Sequence, residues 1–447
     1  MTPKNAARYD TTTPLIDVYL HAPRMGGVGE HDTDVWFRYL APHAGETAPA
    51  HALSVRMPPR AATYSHADTL VFFDNLLLES DTRDELARLE QHDRTDVAGL
   101  LGRVGGECAG AVSVWPHNAV APATHTYRAF SEDELATLFD ERHGERLTQA
   151  QLDSRQVMSG VQRKLVFRWL HNRWHLPLNG APGTHILKRT SGRYDGLVAN
   201  ELACLHLYKS LGLPVPAARA IGSGPDRSPY DDGDDPHEPL LIAIERFDRV
   251  EVQGESVHVP RVRKLHQEDM CQVTGRLPRR KYQRDGGPGL HDLAVALRRF
   301  SIRPATDLQH LLTATIANVC LGNTDAHGKN FALLYTEEGV QLAPFYDVVS
   351  TEVYPSLSPN LSMRVGTGFV ATALGAHDVK KLAADFGVAP ALVRATIERT
   401  TTTIRDVLDD VLQTTQQHVG GEARVLERMR RLIGARIPII ERMALTR

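Results

Sequence analysis

The spacing of hydrophobic residues changes along the chain, and this change limits the folds that the chain can adopt. Near the N-terminus, apolar and polar residues alternate in short runs such as Ile16–Leu20 and Asp34–Tyr39, which predicts β-strands. From about Leu290 to the C-terminus, apolar residues recur in long stretches with the period of an α-helix and without strand alternation. A sheet-containing first part and a mostly helical last part predict an α+β fold.

Length and composition indicate an intracellular globular protein. A chain of 447 residues exceeds what one hydrophobic core usually serves, so two or three domains are expected. The net charge of −3 removes any global attraction to nucleic acid or anionic lipid. The four cysteines lack CxxC spacing, so neither a zinc site nor a disulfide framework is predicted. Without a secretory signal or a stretch of about 20 apolar residues, we expect a soluble cytoplasmic protein with no membrane contact.

Local patterns predict several elements between these two parts. Residues 116–150 indicate a linker plus one helix that begins with a capping box at Ser131 and Glu134. Residues 166–178 indicate a hairpin, and residues 196–211 a helix that Gly212 ends. The acidic stretch 222–239 is predicted to be a mobile loop. A series of arginines from 424 to 436 is typical of the solvated side of a helix.

A polar loop in the helical part has the residue types that phosphoryl transfer needs. Thr306 is predicted to cap a helix that Gly322 ends, and the run NTDAHGKN follows at residues 323–330. Asp325 and Asn330, five residues apart, can supply a carboxylate for the attacking hydroxyl and an oxygen ligand for Mg²⁺. A second metal carboxylate, Asp347, follows Asn330 after a strand-like run. An Asx-turn between a helix and a strand would give the same loop pattern.

Residues upstream can supply the other side of a nucleotide cleft. Lys188 ends a predicted strand, where kinases place the lysine that grips the α- and β-phosphates, and Glu201 on the next helix is its expected ion-pair partner. An unrelated surface lysine and glutamate would give the same pattern. In the polar loop, His327 and Lys329 can contact phosphate, but a packed histidine and a solvated lysine are equally ordinary. The backbone N–H groups of residues 159–164 can bind phosphate, although this segment contains only one of the glycines that such loops usually have.

Several segments, in this order, resemble HipA-type serine/threonine kinases. They are residues 159–164, HILK at 185–188, ERFDR at 245–249, LHQEDMC at 265–271, DGGPG at 285–289, NTDAHGKN at 323–330 and PFYD at 344–347. LSVRMP at 53–58, FFDNLL at 72–77 and GAV at 110–112 are similar to the N-terminal subdomain of that family. The resemblance covers nearly the whole chain, and the combination of HQEDMCQ, DGGPG and NTDAHGKN is highly specific.

The resemblance implies a two-lobed fold related to that of lipid and protein kinases, with ATP and Mg²⁺ as cofactors. The expected divisions are an α/β N-terminal subdomain at residues 1–125, a kinase N-lobe with phosphate loop and hinge at 126–250, and a helical C-lobe at 251–447. By the same resemblance, Asp325 is the catalytic base, Asn330 and Asp347 hold the metal, and backbone groups of Glu245 and Phe247 bind adenine. With His327 and Lys329 added from the reasoning on the polar loop, the predicted nucleotide-binding residues are Ser159, Gly160, Val161, Gln162, Lys164, Lys188, Glu245, Phe247, His327, Lys329, Asn330 and Asp347.

Family members are typically toxins of type II toxin–antitoxin pairs, so the resemblance also implies partners. A small helix-turn-helix antitoxin, similar to HipB, is expected to neutralise the kinase and to make the DNA contacts, so that DNA contact by this chain is indirect. The expected target is a protein, as in members that phosphorylate an aminoacyl-tRNA synthetase and thereby inhibit translation, a route to persistence. Val157 stands where some members have a self-phosphorylated serine, which excludes that modification at the familiar position; Ser159 or Ser154 would have to substitute.

Two other functions remain open from the sequence. One is a weakly active ATP-binding protein that acts mainly with an antitoxin in operon repression. The other is a small-molecule phosphotransferase, because kinase-like folds also serve such substrates. Loss of any one of Lys188, Asp325, Asn330 and Asp347 would have favoured the first, and the HQEDMCQ and N-terminal signatures argue against the second.

Overall fold

The structure, a computed structural model, divides into two compact units. It describes residues 13–31, 33–43, 52–122, 124–139, 144–158, 164–189, 194–222, 241–252, 260–419 and 424–445. The first unit contains residues 1–187, 246–279 and 332–340, and the second contains residues 188–245, 280–331 and 341–447. Each unit therefore combines segments that are distant in the sequence.

Short runs of strands and short runs of helices follow one another along the described chain. The strands are β1 (Ile16–Leu20), β2 (Arg24–His31), β3 (Asp34–Tyr39), β4 (Val112–Pro116), β5 (Thr126–Phe130), β6 (Lys164–Leu170), β7 (Arg173–Leu178), β8 (His185–Arg189), β9 (Ala218–Ile221), β10 (Leu241–Glu245), β11 (Arg249–Val252), β12 (Arg261–Lys264), β13 (His266–Asp269), β14 (Ala332–Tyr335), β15 (Val340–Leu342), β16 (Asn360–Val365) and β17 (Gly368–Val370). The helices are α1 (His66–Phe73), α2 (Ser80–Glu90), α3 (Val97–Val104), α4 (Glu132–Leu138), α5 (Gly144–Ser154), α6 (Leu197–Ser210), α7 (Met270–Thr274), α8 (Leu290–Phe300), α9 (Pro304–Leu321), α10 (Ala376–Phe386), α11 (Pro390–Val419) and α12 (Arg424–Ala444).

The first unit is built on an antiparallel sheet in the order β3-β2-β1-β4. Two glycines in β2 leave room for the aromatic rings of β3, because a Cβ at Gly29 would collide with Trp36 and one at Gly26 with Phe37. Apolar side chains of this sheet form one core with those of α1 and α3. Further along the chain, β7 pairs with both β5 and β6, β11 with β12, and β13 with β14, all antiparallel.

A buried ionic cluster ties distant segments of the first unit together. Glu107 forms ion pairs with Arg246 (3.0 Å), Arg249 (2.7 Å) and Lys264 (2.5 Å), and Asp248 forms ion pairs with both arginines. Burial opposes ionisation of Glu107, but the three cations outweigh it and lower the pKa of that carboxyl. Removal of one member would leave a charge buried without its partner, so the cluster fixes the position of the segment after β10.

The second unit is mainly helical. Helices α6, α9, α11 and α12 pack against one another, and α9 is buried without interruption from Leu311 to Leu321. The antiparallel pairs β9–β10 and β16–β17 complete this unit. Among the described residues, no helix is both long and apolar enough to cross a membrane.

Most of the elements predicted from periodicity are present, but four predictions were wrong. The strands Ile16–Leu20 and Asp34–Tyr39, the hairpin of β6 and β7, and the capping box at Ser131 are confirmed. Residues 116–150 contain a strand, β5, and a second helix, α5, besides the predicted one. The last part of the chain is mostly helical, but it also includes β15 and β17, which are too short to show alternation, and β16, whose alternating residues were overlooked.

The other two errors concern single residues. Thr306 does not cap α9, which begins at Pro304, because the fixed φ of proline suits the first helical position. Arg436 is not solvated: it is buried on α12 and pairs with Glu352 at 2.6 Å. The acidic stretch 222–239 lies, apart from its first residue, outside the described residues. The four cysteines are free and buried, as expected without a disulfide framework.

Candidate active site

The polar loop begins where α9 ends. Gly322 closes the helix in a left-handed conformation, with φ of 67°. A Cβ at this position would lie 2.6 Å from Leu432 Cδ2 and 3.0 Å from Glu352 Cβ, so the close packing under the loop also requires glycine. The loop is thus held at the end of the most buried helix of the second unit.

Side chains within and around the loop fix its backbone. Asn323 Oδ1 accepts a hydrogen bond from the Asp325 N–H at 3.1 Å, which is an Asx-turn, and Asn330 Nδ2 donates to the Asp325 carbonyl at 2.9 Å. The N–H of Thr324 donates to Thr351 Oγ1 at 2.7 Å. The Asx-turn that was the alternative explanation of the loop sequence is therefore present. It orients Asp325, so it is compatible with a catalytic role for this residue.

The carboxylate of Asp325 is partly exposed and is held by a tyrosine. The Tyr282 hydroxyl donates to Asp325 Oδ1 at 2.6 Å, while 49% of the aspartate side chain remains exposed. His327 Nε2 lies 4.0 Å from the same oxygen, and its ring contacts the Tyr282 ring edge to face. An acceptor hydroxyl can therefore reach this carboxylate from solvent while Tyr282 limits its rotation.

His327 is a buried, neutral histidine beside this carboxylate. Burial lowers its pKa well below the usual value, the nearby Lys281 and Lys329 ammonium groups lower it further, and Asp347 only partly opposes them. Its Nδ1 is buried without a hydrogen-bond partner among the described residues. An unsatisfied buried nitrogen of this kind suits a ligand oxygen or a water molecule and otherwise costs free energy.

Lys188 joins two carboxylates from different segments of the second unit. Its Nζ lies 2.7 Å from Glu201 Oε1 on α6 and 2.7 Å from Asp347 Oδ1, so the predicted Lys188–Glu201 ion pair is confirmed. Burial acts to lower the pKa of the Lys188 ammonium, but the two carboxylates outweigh it and raise the pKa. Asp347 itself has a left-handed backbone, with φ of 57°, which is uncommon outside glycine and turns its side chain toward this pair.

The remaining predicted residues are placed as follows. Lys329 and Asn330 are buried in the loop, and the Lys329 carbonyl accepts from the Tyr346 hydroxyl at 2.6 Å. Glu245 is exposed at the end of β10, and its N–H donates a hydrogen bond to the Ala217 carbonyl at 2.8 Å. Lys164, at the start of β6, and the half-buried Phe247 belong to the first unit. Ser159, Gly160, Val161 and Gln162 lie outside the described residues.

The donor set of the second unit is compatible with Mg²⁺. Asn330 uses its Nδ2 within the loop, so its Oδ1 and a carboxylate oxygen of Asp347 are the two oxygen ligands that the predicted pair offers. In the part of the chain that the structure describes, no three His, Cys, Asp or Glu side chains are grouped for a metal ion. Mg²⁺ commonly takes only one or two protein oxygens, with water and substrate phosphates completing its coordination, so this arrangement fits.

Three residues near Asp325 were missed by sequence reasoning about the site. Tyr282 binds the carboxylate itself, and Asn323 orients its backbone. Lys281 is buried within a run of basic residues from Arg276 to Arg284, and its carbonyl accepts from the Gly328 N–H at 3.1 Å. The signal was the tyrosine within this basic run, three residues before DGGPG, but sequence spacing does not connect residues 282 and 325.

Models of two domain families match this chain. The HipA-like C-terminal domain matches residues 157–411, and the HipA N-terminal domain matches residues 16–115. The chain belongs to the HipA family. This assignment confirms the predicted family, and the relatives below agree with the predicted enzyme class, a serine/threonine-protein kinase.

Curated relatives and a solved structure extend the match along the chain. "Putative kinase Y4mE" of Sinorhizobium fredii is 33% identical over 379 residues, which cover 83% of this chain and 86% of that protein. "Serine/threonine-protein kinase toxin HipA" of Shewanella oneidensis is 26% identical over 352 residues, which cover 76% of this chain and 77% of that protein. A chain from the solved complex of HipA, HipB and operator DNA of Shewanella oneidensis MR-1 matches 97% of this HipA-family chain, over 100% of its own length, with a TM-score of 0.78 and 21% identity. This likeness confirms the predicted α+β, kinase-like fold.

Proposed function

We propose that this HipA-type kinase transfers the γ-phosphate of ATP, with Mg²⁺, to a serine or threonine of a protein. The observation that supports the proposal most is that one compact unit holds Lys188 between two carboxylates and also fixes Asp325 and Asn330 in a rigid loop. These are the residue types and the spacing that phosphoryl transfer uses.

In the proposed reaction, Asp325 is the base. The acceptor hydroxyl attacks the γ-phosphorus, a new oxygen–phosphorus bond forms, and the bond to the bridging oxygen of ADP breaks. The hydroxyl proton passes to the Asp325 carboxylate, whose orientation is maintained by Tyr282 and Asn323. Catalysis rests mainly on positioning and on charge stabilisation, because phosphoryl transfer asks for little covalent chemistry from the protein.

The other roles in the proposal concern the nucleotide and the metal. Asn330 and Asp347 would hold Mg²⁺, which supplies charge neutralisation to the phosphates when it is bound. Lys188 would grip phosphate oxygens, and the neutral His327 and the buried Lys329 would contact them as well. Because the Glu245 N–H is already used by Ala217, its carbonyl is the group proposed for adenine, together with a backbone group of Phe247. The phosphate loop is assigned to Ser159, Gly160, Val161, Gln162 and Lys164.

The proposed biological role is that of the toxin in a type II toxin–antitoxin pair. It is supported by the similarity to the Shewanella kinase toxin HipA and to a chain of the complex of HipA with HipB and operator DNA. The partner would be a HipB-like helix-turn-helix antitoxin that contacts DNA, and the target in the cytoplasm would be a protein such as an aminoacyl-tRNA synthetase. We also propose the three-part division at residues 1–125, 126–250 and 251–447 as the functional one.

Induction of the gene in a bacterial host tests this role. Wild type and Asp325→Asn would be induced with and without the neighbouring antitoxin reading frame, and the phosphoproteome would be recorded. We expect growth arrest and new phosphoserine or phosphothreonine only for wild type without the antitoxin. Exposed Asp410 on α11 supplies a matched control, Asp410→Asn, which should behave as wild type.

Three outcomes would count against the proposal. Equal growth with and without the antitoxin frame would overturn the toxin role. New phosphosites that persist in Asp325→Asn would overturn the assignment of the base, and ATP binding without any phosphosite would favour the weakly active, repression-linked alternative.

A further inference from the structure

An exposed surface beside the candidate base carries three arginines from two segments of the second unit. Arg280 and Arg284 flank Tyr282, and Arg364 lies on β16. All three side chains are exposed, whereas the neighbouring Lys281 is buried. We call Arg280, Arg284 and Arg364 the arginine surface.

Both segments of the arginine surface are tied directly to the polar loop. Tyr282 lies two residues before Arg284, and its hydroxyl donates to Asp325 at 2.6 Å. Ser362 lies two residues before Arg364, and its hydroxyl donates to the Thr324 carbonyl at 2.6 Å. The arginines therefore stand within two residues of side chains that contact Thr324 and Asp325, where an acceptor segment must lie if its hydroxyl is to reach the base.

The two segments are also joined to each other. The Arg364 N–H donates to Gln283 Oε1 at 2.6 Å, and the Arg284 guanidinium carbon lies 4.4 Å from the centre of the Phe369 ring on β17. Stacking on an aromatic ring limits the rotamers of an arginine, so less entropy is lost when it binds a ligand. These contacts hold the Arg284 side chain and the Arg364 backbone, and so join the two segments of the arginine surface.

Basic side chains outnumber acidic ones on these two segments, although the carboxylates of Asp325 and Asp378 contact them. Within residues 280–286 and 354–370, the only acidic side chain is Asp285, although the chain as a whole has a net charge of −3. Exposed guanidinium groups pair well with carboxylates, often through two parallel hydrogen bonds. The charge therefore favours one kind of protein segment over another.

We propose that the arginine surface selects acceptors in which aspartate or glutamate flanks the phosphorylated serine or threonine. The proposal rests on the protein kinase function proposed above and adds the substrate class. A protein segment is favoured over nucleic acid because the surface is joined to the base that would receive the hydroxyl proton. The acidic residues would align the hydroxyl with Asp325 as they pair with Arg284 and Arg364.

Serine peptides of defined charge test this proposal. Three peptides would place aspartate, alanine or lysine on both sides of one serine, and kcat/KM would be measured for each with ATP and Mg²⁺. For wild type we expect the acidic peptide to be preferred over the neutral one by about five- to tenfold, since exposed ion pairs contribute modestly, and the preference should shrink at high salt.

Variants of the arginines separate this surface from the catalytic machinery. Arg284→Glu with Arg364→Glu should reverse the preference toward the lysine peptide, and the milder Arg284→Gln with Arg364→Gln should abolish it even if the reversed variant folds poorly. Exposed Arg399 on α11 provides the matched control, and Arg399→Glu should keep the wild-type preference.

The outcomes distinguish failure of this inference from failure of the kinase function. Wild type that phosphorylates all three peptides equally, or variants that keep the acidic preference, would overturn the inference and leave the kinase function standing. Loss of binding to double-stranded DNA in the variants, with peptide preference unchanged, would also overturn it. Wild type that phosphorylates no peptide and no host protein would instead refute the proposed function itself.

Discussion

A buried glutamate in the first unit should make the stability of this protein depend on pH near neutrality. Glu268 is 1% exposed and accepts hydrogen bonds from the Ser54 hydroxyl at 2.6 Å, from the Val55 N–H at 2.9 Å and from the Tyr335 hydroxyl. Burial raises the pKa of this carboxyl to about 7, and the hydrogen bonds only partly oppose the rise. Ionisation of Glu268 therefore costs more in the folded state than in the unfolded state.

The sign and size of the effect follow from this pKa. Below pH 4.5 the carboxyl is protonated in both states and its ionisation costs nothing. As pH rises from 4.5 through 7, the unfolded state loses its proton first, so the free energy of unfolding falls. A rise from 4.5 to about 7, at about 1.4 kcal/mol per pKa unit, corresponds to about 3 kcal/mol in total.

Glu268→Gln isolates this contribution. Glutamine can still accept from Val55 and Tyr335, and the Ser54 hydroxyl can turn to accept from its amide, so most of the hydrogen bonding is retained. Urea denaturation of both proteins between pH 4.5 and 8 would give the difference in unfolding free energy. We expect this difference to shift by about 3 kcal/mol in favour of glutamine as pH rises.

A matched control keeps the reasoning open to refutation. Glu338 is exposed in the turn after β14, in the same unit, and Glu338→Gln should give a difference that hardly changes with pH. If the Glu268→Gln difference is constant from pH 4.5 to 8, burial does not perturb Glu268 as the contacts require, and the account of this cluster is wrong.

Three further perturbations have defined outcomes in the second unit. Tyr282→Phe should lower kcat by about 10- to 100-fold with the KM for ATP unchanged, measured by steady-state kinetics, because Asp325 loses one charge-assisted hydrogen bond; an unchanged kcat would refute this role. Glu201→Gln should reduce ATP binding and phosphate transfer by about 100-fold or more, which calorimetry and kinetics would measure. The free energy of unfolding should fall by only about 2 kcal/mol or less in denaturation experiments, because Lys188 keeps its ion pair with Asp347. Gly322→Ala should lower the melting temperature, because a Cβ would collide with α12 in a left-handed backbone; an unchanged melting temperature would contradict the packing.

Much of the secondary structure could be predicted because local signals and final structure agree. Alternation places β1 and β3 at Ile16–Leu20 and Asp34–Tyr39, and Gly322 ends α9 because only a residue tolerant of positive φ fits there. Strand β5 and helix α5 were missed, since a Pro- and Ala-rich lead-in resembles a linker more than an element of a sheet. Local pattern therefore identifies elements well where hydrophobic period and punctuation coincide.

Only part of the site could be predicted from the sequence, because some of its contacts join residues that are far apart in the chain. Spacing indicates Asp325 and Asn330 because both belong to one short loop, and the Lys188–Glu201 pair follows from a strand and the next helix. The contact of Tyr282 with Asp325 joins residues separated by a whole pair of helices, so no local pattern reveals it. Likewise, Arg436 looked solvated because its partner Glu352 is far away in the sequence.

The central claim is that Asp325 acts as the base of a phosphoryl transfer from ATP, and a single-turnover measurement tests it most directly. The chain would be mixed in excess with ATP, Mg²⁺ and either a host protein that it phosphorylates or the acidic serine peptide, and the rate of γ-phosphate transfer would be recorded for wild type and Asp325→Asn. Asparagine keeps the shape of the side chain and can still accept from Tyr282, but it cannot take the proton. We predict a rate lower by about 10²- to 10⁴-fold with ATP affinity retained, and a rate equal to that of wild type would contradict the account.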